Sequence, residues 1–286
     1  MKHSIQALVR GFVRGFLNML HRTRAGRFAY AQLIDVITHR TQAVDHHGVR
    51  LVFAVPNAQT QFRADTFATK EPETLAWIDT VPVGSVLWDI GANVGLYSCY
   101  AAKSRSCRVF SFEPSVFNLE LLAKNAFLNG LTDQLTIIPL PLSDALRVSA
   151  LNMTSTEWGG ALSTFGQSYG HDGQLLDRSF TFSTLGLSMD DAVALLRIPL
   201  PRFIKLDVDG IEHLILGGGA SVLRQAESVL IEINDDFREQ AEESRRHLTA
   251  AGFQLVEKRR WETTSDALSQ ATYNQIWRRP SSITRS

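Results

Sequence analysis

Residues 86–95, which read VLWDIGANVG, constrain the fold of this chain more than any other segment. A short apolar run ends at a single acid, Asp89, and glycines then alternate with other residues up to Gly95. This pattern predicts a buried strand that leads into a tight turn, and the residues that follow contain no helix breaker. Glycines let the backbone approach a ligand, and the free N–H groups of a helix start lie beside such a turn. We therefore expect a strand, a glycine turn and a helix that hold a polar ligand.

A second strand is predicted at residues 108–112 (RVFSF), and Glu113 follows it directly. An acid at the end of the second strand, about 20 residues beyond a glycine turn, is placed to hold the hydroxyls of a nucleotide ribose. This position disfavours the alternative of an ordinary exposed glutamate. Asp144 follows a third predicted strand at residues 135–140 and is a candidate to accept hydrogen bonds from an adenine amine. A turn or N-cap role is the equal alternative for Asp144.

Residues 203–212, which read FIKLDVDGIE, predict another buried strand, and it ends in acids. The acids are Asp207, Asp209 and Glu212. Ligands of open α/β sheets bind at the carboxyl ends of the strands. Carboxylates at this density also suit Mg²⁺ or Ca²⁺, but the spacing is not that of a calcium loop and His213 is the one adjacent histidine, so no metal site is expected. We expect one acid to position substrate or cofactor and the others to bind Lys205 and the nearby backbone.

The rest of the chain predicts a continuing alternation of strands and helices. Residues 229–233 (VLIEI) form a buried strand with Glu232 near its end, and the last two strands, at residues 253–256 and 273–277, are expected to be antiparallel neighbours. Residues 152–174 are rich in Ser, Thr and Gly and are long for a connection. They are a candidate lid or substrate loop, and a disordered surface excursion is the alternative.

The chain divides into an N-terminal extension, residues 1–80, and a main domain, residues 81–280. Within the extension, residues 48–55 alternate apolar and polar side chains and predict one strand of a hairpin, with residues 61–66 as its partner. Residues 74–80 predict a short helix. No catalytic group is expected in this hairpin or helix.

Composition and charge exclude several classes of protein. No run of about 18 apolar residues is present, so no membrane-spanning helix is predicted. Two cysteines, Cys99 and Cys107, are too few for a disulfide framework and favour a reducing, cytoplasmic location. Residues 1–44 hold seven Lys/Arg and one acid. Because the whole chain has 29 Lys+Arg and 29 Asp+Glu, the remaining residues carry a net negative charge. Nucleic acid is not expected as a partner, because a phosphate track requires a basic body.

Residues 4–20 have the pattern of an amphipathic basic helix. Apolar residues recur at helical spacing, while Arg10, Arg14 and Asn18 fall between them. Such a helix is a candidate for peripheral contact with an anionic membrane surface. Packing onto its own domain or onto a subunit partner is the favoured alternative, and an organelle transit peptide ranks third.

Five motifs, in this order, resemble the FkbM family of S-adenosylmethionine-dependent methyltransferases. They are DIGANVG at 89–95, FEP at 112–114, a Leu-Asn-Gly helix end at 128–130, LSDA at 142–145, and FIKLDVDGIE at 203–212 followed by an apolar strand with a Glu. Each motif alone is weak, but the ordered set is specific. The sequence departs from the family in having DVDG where DVEG is common and in its basic leader.

The resemblance implies a Rossmann-like class I methyltransferase fold. This is an α/β fold with a seven-stranded, mostly parallel sheet, an antiparallel last strand and helices on both faces. The resemblance also implies S-adenosylmethionine as cofactor, with its methionine part at the glycine turn, its ribose at Glu113 and its adenine near Ser143. The implied cofactor-binding residues are Asp89, Gly91, Asn93, Gly95, Glu113, Ser143 and Asp144.

The acid in the turn distinguishes a methyl-donor site from a dinucleotide site. A dinucleotide turn has the pattern G-x-G-x-x-G, which presents a helix start to a pyrophosphate. The pattern here is D-x-G-x-N-x-G. Asp89 would repel a pyrophosphate and attract the sulfonium and amino groups of S-adenosylmethionine, so charge favours the methyl donor.

The family activity implied by the resemblance is methyl transfer, and we expect a hydroxyl of a sugar, glycan or natural product as acceptor. A general base would assist transfer to a hydroxyl. The candidate bases, all at or just after strand ends, are Asp207, Glu232 and His213. A surface helix position is the alternative for His213. The competing functions are a non-catalytic S-adenosylmethionine-binding or membrane-tethered partner protein, and a dehydrogenase.

Overall fold

The computed structural model of the protein describes residues 2–260 and 271–280. Before residue 81 its elements are α1 (Lys2–Leu20), α2 (Arg24–Thr38), β1 (Thr41–His46), β2 (Val49–Ala54), α3 (Ala58–Asp65) and α4 (Pro72–Asp79). The elements from there to residue 206 are β3 (Val86–Ile90), α5 (Leu96–Arg105), β4 (Arg108–Phe112), α6 (Val116–Leu128), β5 (Leu135–Ile138), β6 (Arg147–Met153), β7 (Ser163–Phe165), β8 (Phe180–Gly186), α7 (Met189–Leu196) and β9 (Phe203–Leu206). The last elements are α8 (Glu212–Gly217), α9 (Ala220–Gln225), β10 (Ser228–Asn234), α10 (Arg238–Ala250), β11 (Gln254–Arg260) and β12 (Thr272–Arg278).

The main sheet has seven strands in the order β11-β12-β10-β9-β3-β4-β5. The five strands β10, β9, β3, β4 and β5 run parallel to one another. The last strand of the chain, β12, runs antiparallel to both β10 and β11. This arrangement confirms the predicted fold class. Because parallel strands end at the same edge of a sheet, the ends of β3, β4, β5, β9 and β10 meet there, which is where ligands of such sheets bind.

The main sheet is buried on both faces by alternate side chains of its strands. Trp88 and Ile90 of β3 belong to one apolar core, while Leu87 points into a second core on the other face. On β4, Phe110 faces the first core and Val109 the second. This double burial explains why the central strands are almost continuously apolar, as parallel strands covered on both faces are.

The predicted hairpin before the main domain is present, but the expected partner strand at residues 61–66 was wrong. β2 pairs antiparallel with β1, which sets Thr41 opposite Ala54. Most of the expected strand lies in α3, because Asn57 starts a helix there. The Asn57 side chain accepts a hydrogen bond from the Thr60 N–H at 2.9 Å, and the Thr60 hydroxyl oxygen accepts one from the Asn57 N–H. This capping box outweighs a short alternation of apolar and polar residues.

A smaller sheet, in the order β7-β6-β8, occupies part of the predicted loop at residues 152–174. β6 extends into that range and β7 lies within it. Leu151, Met153 and Phe165 are buried in the core of the first sheet face. The long loop is therefore divided by strand pairing into two shorter ones, the first of them at residues 154–162.

Among the described residues, no helix has both the length and the hydropathy needed to cross a membrane.

Candidate active site

The glycine turn after β3 depends on close backbone packing. Gly91 has φ +83°, and a Cβ atom there would lie 1.8 Å from the carbonyl oxygen of Asp207. Gly95 has φ +81°, and its Cβ would lie 2.2 Å from Leu122 Cδ1 of α6. Both positions combine a left-handed backbone with a close neighbour, so a side chain would be strained and would collide. The two glycines thus set the end of β3 against the end of β9 and α5 against α6.

Glu113 connects the glycine turn to the end of β4. Its Oε2 accepts a hydrogen bond from the Asn93 N–H at 2.7 Å, and its Oε1 accepts one from the Ser115 N–H at 2.8 Å. Burial raises the pKa of Glu113 to about 7, although these two N–H groups favour the ionised form. The carboxyl therefore titrates near neutral pH at the edge of the cavity described next.

A cavity of about 690 Å³ lies over the strand ends. Five of the predicted site residues line it: Gly91, Asn93, Glu113, Asp207 and Glu232. A smaller recess of about 60 Å³ adjoins the glycine turn and is lined by Tyr97, Lys205 and Asp207, among others. The predicted residues that do not line the large cavity are Asp89, Gly95, Ser143, Asp144 and His213.

Asp89 is buried within the sheet and does not face the cavity. The register of β3 and β9 sets Asp89 opposite Lys205, whose Nζ lies 3.6 Å from Asp89 Oδ1. The Ser98 hydroxyl donates to Asp89 Oδ2 at 2.5 Å. Asp89 Oδ1 is buried and has no hydrogen-bond partner among the described residues. Lys205 therefore already compensates the negative charge of Asp89, which opposes the predicted attraction between Asp89 and a cationic ligand.

Lys205 joins Asp89 to Asp207 in a buried ion cluster. Its Nζ lies 3.1 Å from Asp207 Oδ2, and its side chain is 4% exposed. Burial alone would lower the pKa of Lys205, but the carboxylates of Asp207 and Asp89 raise it above its usual value. Burial likewise opposes ionisation of Asp207, yet Lys205 and Lys70 hold the pKa of that carboxyl below its usual value. Asp207 is thus a fixed anion at the cavity wall.

Glu232 of β10 lies beside Asp207, because the residues before them, Ile231 and Leu206, are paired, and it has the opposite titration behaviour. Burial, followed by the negative charges of Asp207 and Glu71, raises the pKa of Glu232 well above its usual value. Burial and the Asp207 charge also raise the pKa of Asp209, which lines the same cavity. The site therefore contains one carboxylate held ionised beside others that bind protons more tightly.

The two residues predicted near the adenine bond to each other and to Arg147. The Ser143 hydroxyl donates to Asp144 Oδ1 at 2.9 Å, and Arg147 Nη1 lies 2.6 Å from the same oxygen. The cavity wall at this position is formed by the preceding Pro141 and Leu142.

His213 lies on α8 away from the cavity, and it is buried. It is 3% exposed, and both of its ring nitrogens lack a hydrogen-bond partner among the described residues. Its ring packs edge-on against Phe237 at 5.9 Å. Burial lowers the pKa of His213, so the ring is neutral near pH 7. The alternative of a surface helix position was wrong, because α8 turns this residue toward α10.

Glu212 serves the local backbone. Its Oε1 accepts a hydrogen bond from the Val208 N–H at 3.0 Å, and its Oε2 accepts one from the Gly210 N–H at 3.1 Å. Gln240 of α10 donates to the same carboxylate at 2.5 Å. We expected some of the acids after β9 to bind Lys205 and the nearby backbone. In the structure Asp207 binds Lys205, and Glu212 accepts hydrogen bonds from backbone N–H groups.

Two cations reach the cavity from the part of the chain where no chemistry was expected. Arg63 of α3 and Lys70, which follows α3, both line it, together with Gln59 and Phe62. Lys70 Nζ also lies 2.9 Å from Glu71 Oε1. No motif in the sequence marks these residues, because they reach the site only through the packing of α3 against the loop at residues 154–162.

The loop at residues 154–162 covers the cavity and is held by hydrogen bonds to its backbone. Five side chains from outside the loop bind its backbone: Asn57, Arg63, Asn93, Asn118 and Asp209. Asn93 Nδ2 donates to the Gly160 carbonyl at 2.7 Å, and the Leu162 N–H donates to Asp209 Oδ2 at 2.7 Å. The glycine turn, α3 with its cap, α6 and the segment after β9 therefore all hold this predicted substrate loop in place.

Within residues 2–260 and 271–280, one cluster has the ligand types and spacing to hold a metal ion. It consists of His46, His47 and Asp79, whose ligand atoms lie within 4.8 Å of one another. It lies at the β1–β2 hairpin and does not line the cavity. The cavity carboxylates do not converge into such a cluster.

Known proteins resemble this chain in sequence and in fold. The hexuronic acid methyltransferase AglP of Haloferax volcanii is 25% identical over 210 residues, which cover 71% of this chain and 81% of that protein. The crystal structure of M. jannaschii TYW2 in complex with AdoMet has a TM-score of 0.45 and 11% identity, covering 84% of this chain and 87% of that chain. The precorrin-6y C5,15-methyltransferase of Geobacter metallireducens has a TM-score of 0.42 and 13% identity, covering 73% of this chain and 86% of that chain.

The methyl donor S-adenosylmethionine fits the groups that this cavity offers. Glu113, when ionised, is an acceptor for ribose hydroxyls beside the backbone of the glycine turn. The apolar residues Leu140, Pro141 and Leu142 offer a flat base a wall next to it. Asp207 gives the floor a fixed negative charge, which suits a cationic ligand and opposes a pyrophosphate, and a bound cation favours the ionised forms of Asp209 and Glu232. The charge preference predicted from Asp89 stays a prediction, and the carboxylate held ionised at the cavity wall is that of Asp207.

The family assignment rests on a family model that matches more than half of the chain. The model described as the methyltransferase FkbM domain matches residues 89–255. The match includes the glycine turn, Glu113, the acids after β9 and Glu232, so it covers the whole sheet edge of the cavity. The chain therefore belongs to the FkbM methyltransferase domain family, whose cofactor is S-adenosylmethionine.

Proposed function

We propose that the protein methylates a hydroxyl oxygen of a sugar, a glycan or a related natural product that carries a carboxylate. One observation supports this most directly: a single cavity combines Glu113 and the glycine turn, the acids Asp207 and Glu232, and two cations. The first pair suits the cofactor, the acids suit proton transfer, and the cations suit an anionic acceptor. Residues 81–280 supply the sheet edge, and the preceding segment supplies the cations.

S-adenosylmethionine, when bound, supplies a methyl group on a positively charged sulfur. The residues that would hold it are Gly91, Asn93 and Glu113, with the aliphatic wall near Pro141 beside the base. The remaining task of the chain is to hold the acceptor oxygen in line and to remove its proton. Alignment of two reactants can by itself contribute several kcal/mol, so positioning is the main role of the cavity walls.

Glu232 is our candidate for the proton acceptor. A base works best when its pKa lies near the working pH, and the pKa of Asp207 is held low by Lys205 and Lys70. The pKa of Glu232 is raised by burial and by neighbouring acids, so its carboxylate binds a proton much more strongly. A cationic ligand in the cavity favours the ionised form of Glu232. Asp207 then acts as the fixed anion, and His213, outside the cavity, has no part in the transfer.

The acidic nature of the acceptor is inferred from Arg63 and Lys70. A guanidinium presents paired donors that match a carboxylate, and a lysine adds a point charge. Hydrogen bonds to charged groups contribute about 1.5–3 kcal/mol each. The relative from Haloferax volcanii is named for a hexuronic acid, an acceptor with both hydroxyls and a carboxylate. A uronic acid unit would satisfy both the cations and the proposed base.

Labelled methyl transfer to a panel of matched sugars tests the proposal. Glucuronides and the corresponding glucosides, which differ in the carboxylate, are incubated with the protein and S-adenosylmethionine labelled in the methyl group. We expect label on the acidic sugars, in a product that survives mild alkaline hydrolysis because an ether has formed. A label lost under those conditions would identify a methyl ester and would exclude the hydroxyl as acceptor.

The main alternative is a protein that binds S-adenosylmethionine without using it. Binding alone does not separate the two functions, but the release of S-adenosylhomocysteine does. Steady release that depends on an added acceptor supports the enzyme. A protein that binds the methyl donor and releases none with any acidic or neutral glycan would support the alternative.

A further inference from the structure

The helices α1 and α2 form a hairpin with a defined corner. Thr23 caps α2, since its Oγ1 accepts a hydrogen bond from the Gly26 N–H at 2.9 Å. A Cβ at Gly26 would lie 1.9 Å from the Leu20 carbonyl oxygen, so the glycine allows the two helices to approach. The His21 ring packs on Tyr30 with centroids 4.2 Å apart. These local contacts hold the two helices against each other.

The hairpin exposes an apolar surface that does not pack on the rest of the described chain. Of the 25 large apolar side chains exposed in the described residues, eleven lie on these two helices, which hold a small part of the chain. On α1 they are Leu8, Val9, Phe12, Val13, Phe16 and Met19, and on α2 they are Phe28, Leu33, Ile34, Val36 and Ile37. Leu8 is 77% and Phe12 is 76% exposed. These exposed side chains therefore do not pack onto the chain's own domain, which was one of the alternatives for the leader helix.

Basic residues accompany this surface. Residues 1–44 carry seven Lys/Arg and one acid, Asp35. Arg14 lies on α1, and Arg22, Arg24 and Arg27 cluster at the hairpin corner, all of them exposed. Arg27 Nη1 donates to the His21 carbonyl at 3.1 Å, which fixes that side chain at the corner. The surface is therefore both apolar and strongly positive.

This combination favours an anionic lipid surface over a second copy of the chain. An interfacial helix has an apolar face, a basic polar face and low net hydrophobicity, and it lies in the plane of the headgroups. Lys and Arg side chains near an acidic membrane surface add electrostatic attraction to the apolar contribution. Packing of two hairpins would instead bring two basic segments together, and like charges oppose that association. The positive charge of the hairpin therefore favours anionic lipid over a second copy of the chain as the partner of the apolar face.

We propose that the α1–α2 hairpin docks on the surface of a bilayer that contains anionic lipids. The apolar side chains enter the headgroup boundary, and the arginines remain at the level of the acidic headgroups. The sheet and its cavity stay in water, so this attachment is independent of the proposed methyl transfer.

Sedimentation of the full-length protein with vesicles tests the proposal. The vesicles are phosphatidylcholine alone and phosphatidylcholine mixed with phosphatidylglycerol. Phe12→Glu places a charge in the apolar face, and Phe127→Glu makes the same change at a residue of α6 that is 73% exposed in the main domain. We expect wild type and Phe127→Glu to pellet with the anionic vesicles, Phe12→Glu to bind at least tenfold more weakly, and salt to weaken binding.

Two outcomes would overturn the proposal. One is wild-type protein that stays in the supernatant with anionic vesicles. The other is a Phe12→Glu variant that pellets as well as wild type. Light scattering without lipid tests whether a second copy of the chain covers the apolar face instead. If the wild type is an oligomer that does not bind vesicles, and Phe12→Glu is a monomer, the face serves self-association. Unchanged affinity for S-adenosylmethionine verifies that each variant keeps its main domain folded.

Discussion

Glu113 shows how burial and hydrogen bonding oppose each other in single residues of this cavity. Two backbone N–H groups donate to its carboxylate, which favours ionisation, but removal from water disfavours the charge more. The resulting pKa of about 7 makes this group sensitive to pH in the neutral range. Asp207 and Glu232 are shifted in opposite directions by the same forces, because Lys205 contacts only the first of them.

Cofactor affinity should fall as the pH drops through 7. Ribose hydroxyls donate to an ionised carboxylate, so binding favours the deprotonated form of Glu113. Below its pKa of about 7 the free protein must first lose a proton, and affinity should decline by up to about tenfold per pH unit. Calorimetric titration with S-adenosylhomocysteine from about pH 5.5 to about pH 8.5 measures this change in affinity. The Glu113→Gln variant should bind weakly with a flatter profile; unchanged affinity in that variant would contradict ribose binding at Glu113.

Glu232→Gln should lower kcat by about 10²–10⁴-fold with little change in cofactor affinity. The amide keeps the size of the side chain but cannot accept the proton of a hydroxyl. In the wild type kcat should rise with pH as Glu232 ionises, and the variant should lose this rise. Glu227→Gln is the matched control, since Glu227 is an exposed partner of Arg202 outside the cavity. Equal kcat in wild type and Glu232→Gln would exclude Glu232 as the base.

The glycine turn is an element whose sequence is determined by what packs against it. Gly91 approaches the backbone of Asp207, and Gly95 approaches Leu122. Asn93, between them, also has a positive φ of 50° and places its N–H on Glu113 and its side chain on the substrate loop. The turn therefore connects β3, β4, β9 and the loop at residues 154–162 through close packing and hydrogen bonds.

Gly91→Ala should destabilise the protein far more than Gly130→Ala does. Both glycines have positive φ, +83° and +67°, so both substitutions carry backbone strain of about 1–2 kcal/mol. The added Cβ at Gly130 meets nothing within 4 Å, whereas at Gly91 it would lie 1.8 Å from a backbone oxygen. Overpacking should add roughly 1–3 kcal/mol for Gly91. Urea unfolding measures both, and equal losses would show that the contact with Asp207 relaxes freely.

The cavity as a whole is assembled from distant parts of the chain. The sheet edge supplies the acids, the loop after β6 supplies a cover, and α3 and the segment after it supply two cations. Arg63 Nε donates to the Gly159 carbonyl at 2.9 Å, and Asn57 Nδ2 donates to the Trp158 carbonyl at 3.0 Å. The segment before residue 81 is thus attached to the loop at residues 154–162, and both line the side of the cavity where we propose that the acceptor binds.

Arg63→Gln should raise the KM for an acidic acceptor by about tenfold or more, which is the loss of one charge-assisted contact. Cofactor affinity should stay within about twofold, because the cofactor residues lie on the sheet edge. Arg50→Gln, at an arginine exposed on β2, is the matched control. Steady-state kinetics with a uronic acid and its neutral counterpart measure the effect. An equal rise for the neutral sugar would assign Arg63 to holding the loop.

The sequence by itself determined the strand, turn and helix at residues 86–105, the position of Glu113 and the alternation that builds the sheet. The signals for these elements are local in the sequence, because an apolar run, glycines and an acid at a strand end predict them without knowledge of the residues that pack against them. The order of the motifs also gave the family, which the match over residues 89–255 confirms. The hairpin partner at residues 61–66 was wrong because a helix cap competed with a short alternation.

Only the tertiary structure decided which charges meet. Asp89 is oriented toward Lys205 because the register of β3 and β9 pairs them, and no spacing along the chain reveals that register. Arg63 and Lys70 reach the cavity because α3 packs on a loop nearly 100 residues away in sequence. His213 is withdrawn from it by the packing of α8 on α10. Charge and hydrogen bonding act over a few ångströms in space, so their partners are set by packing, whereas turns and strands are set by neighbours in sequence.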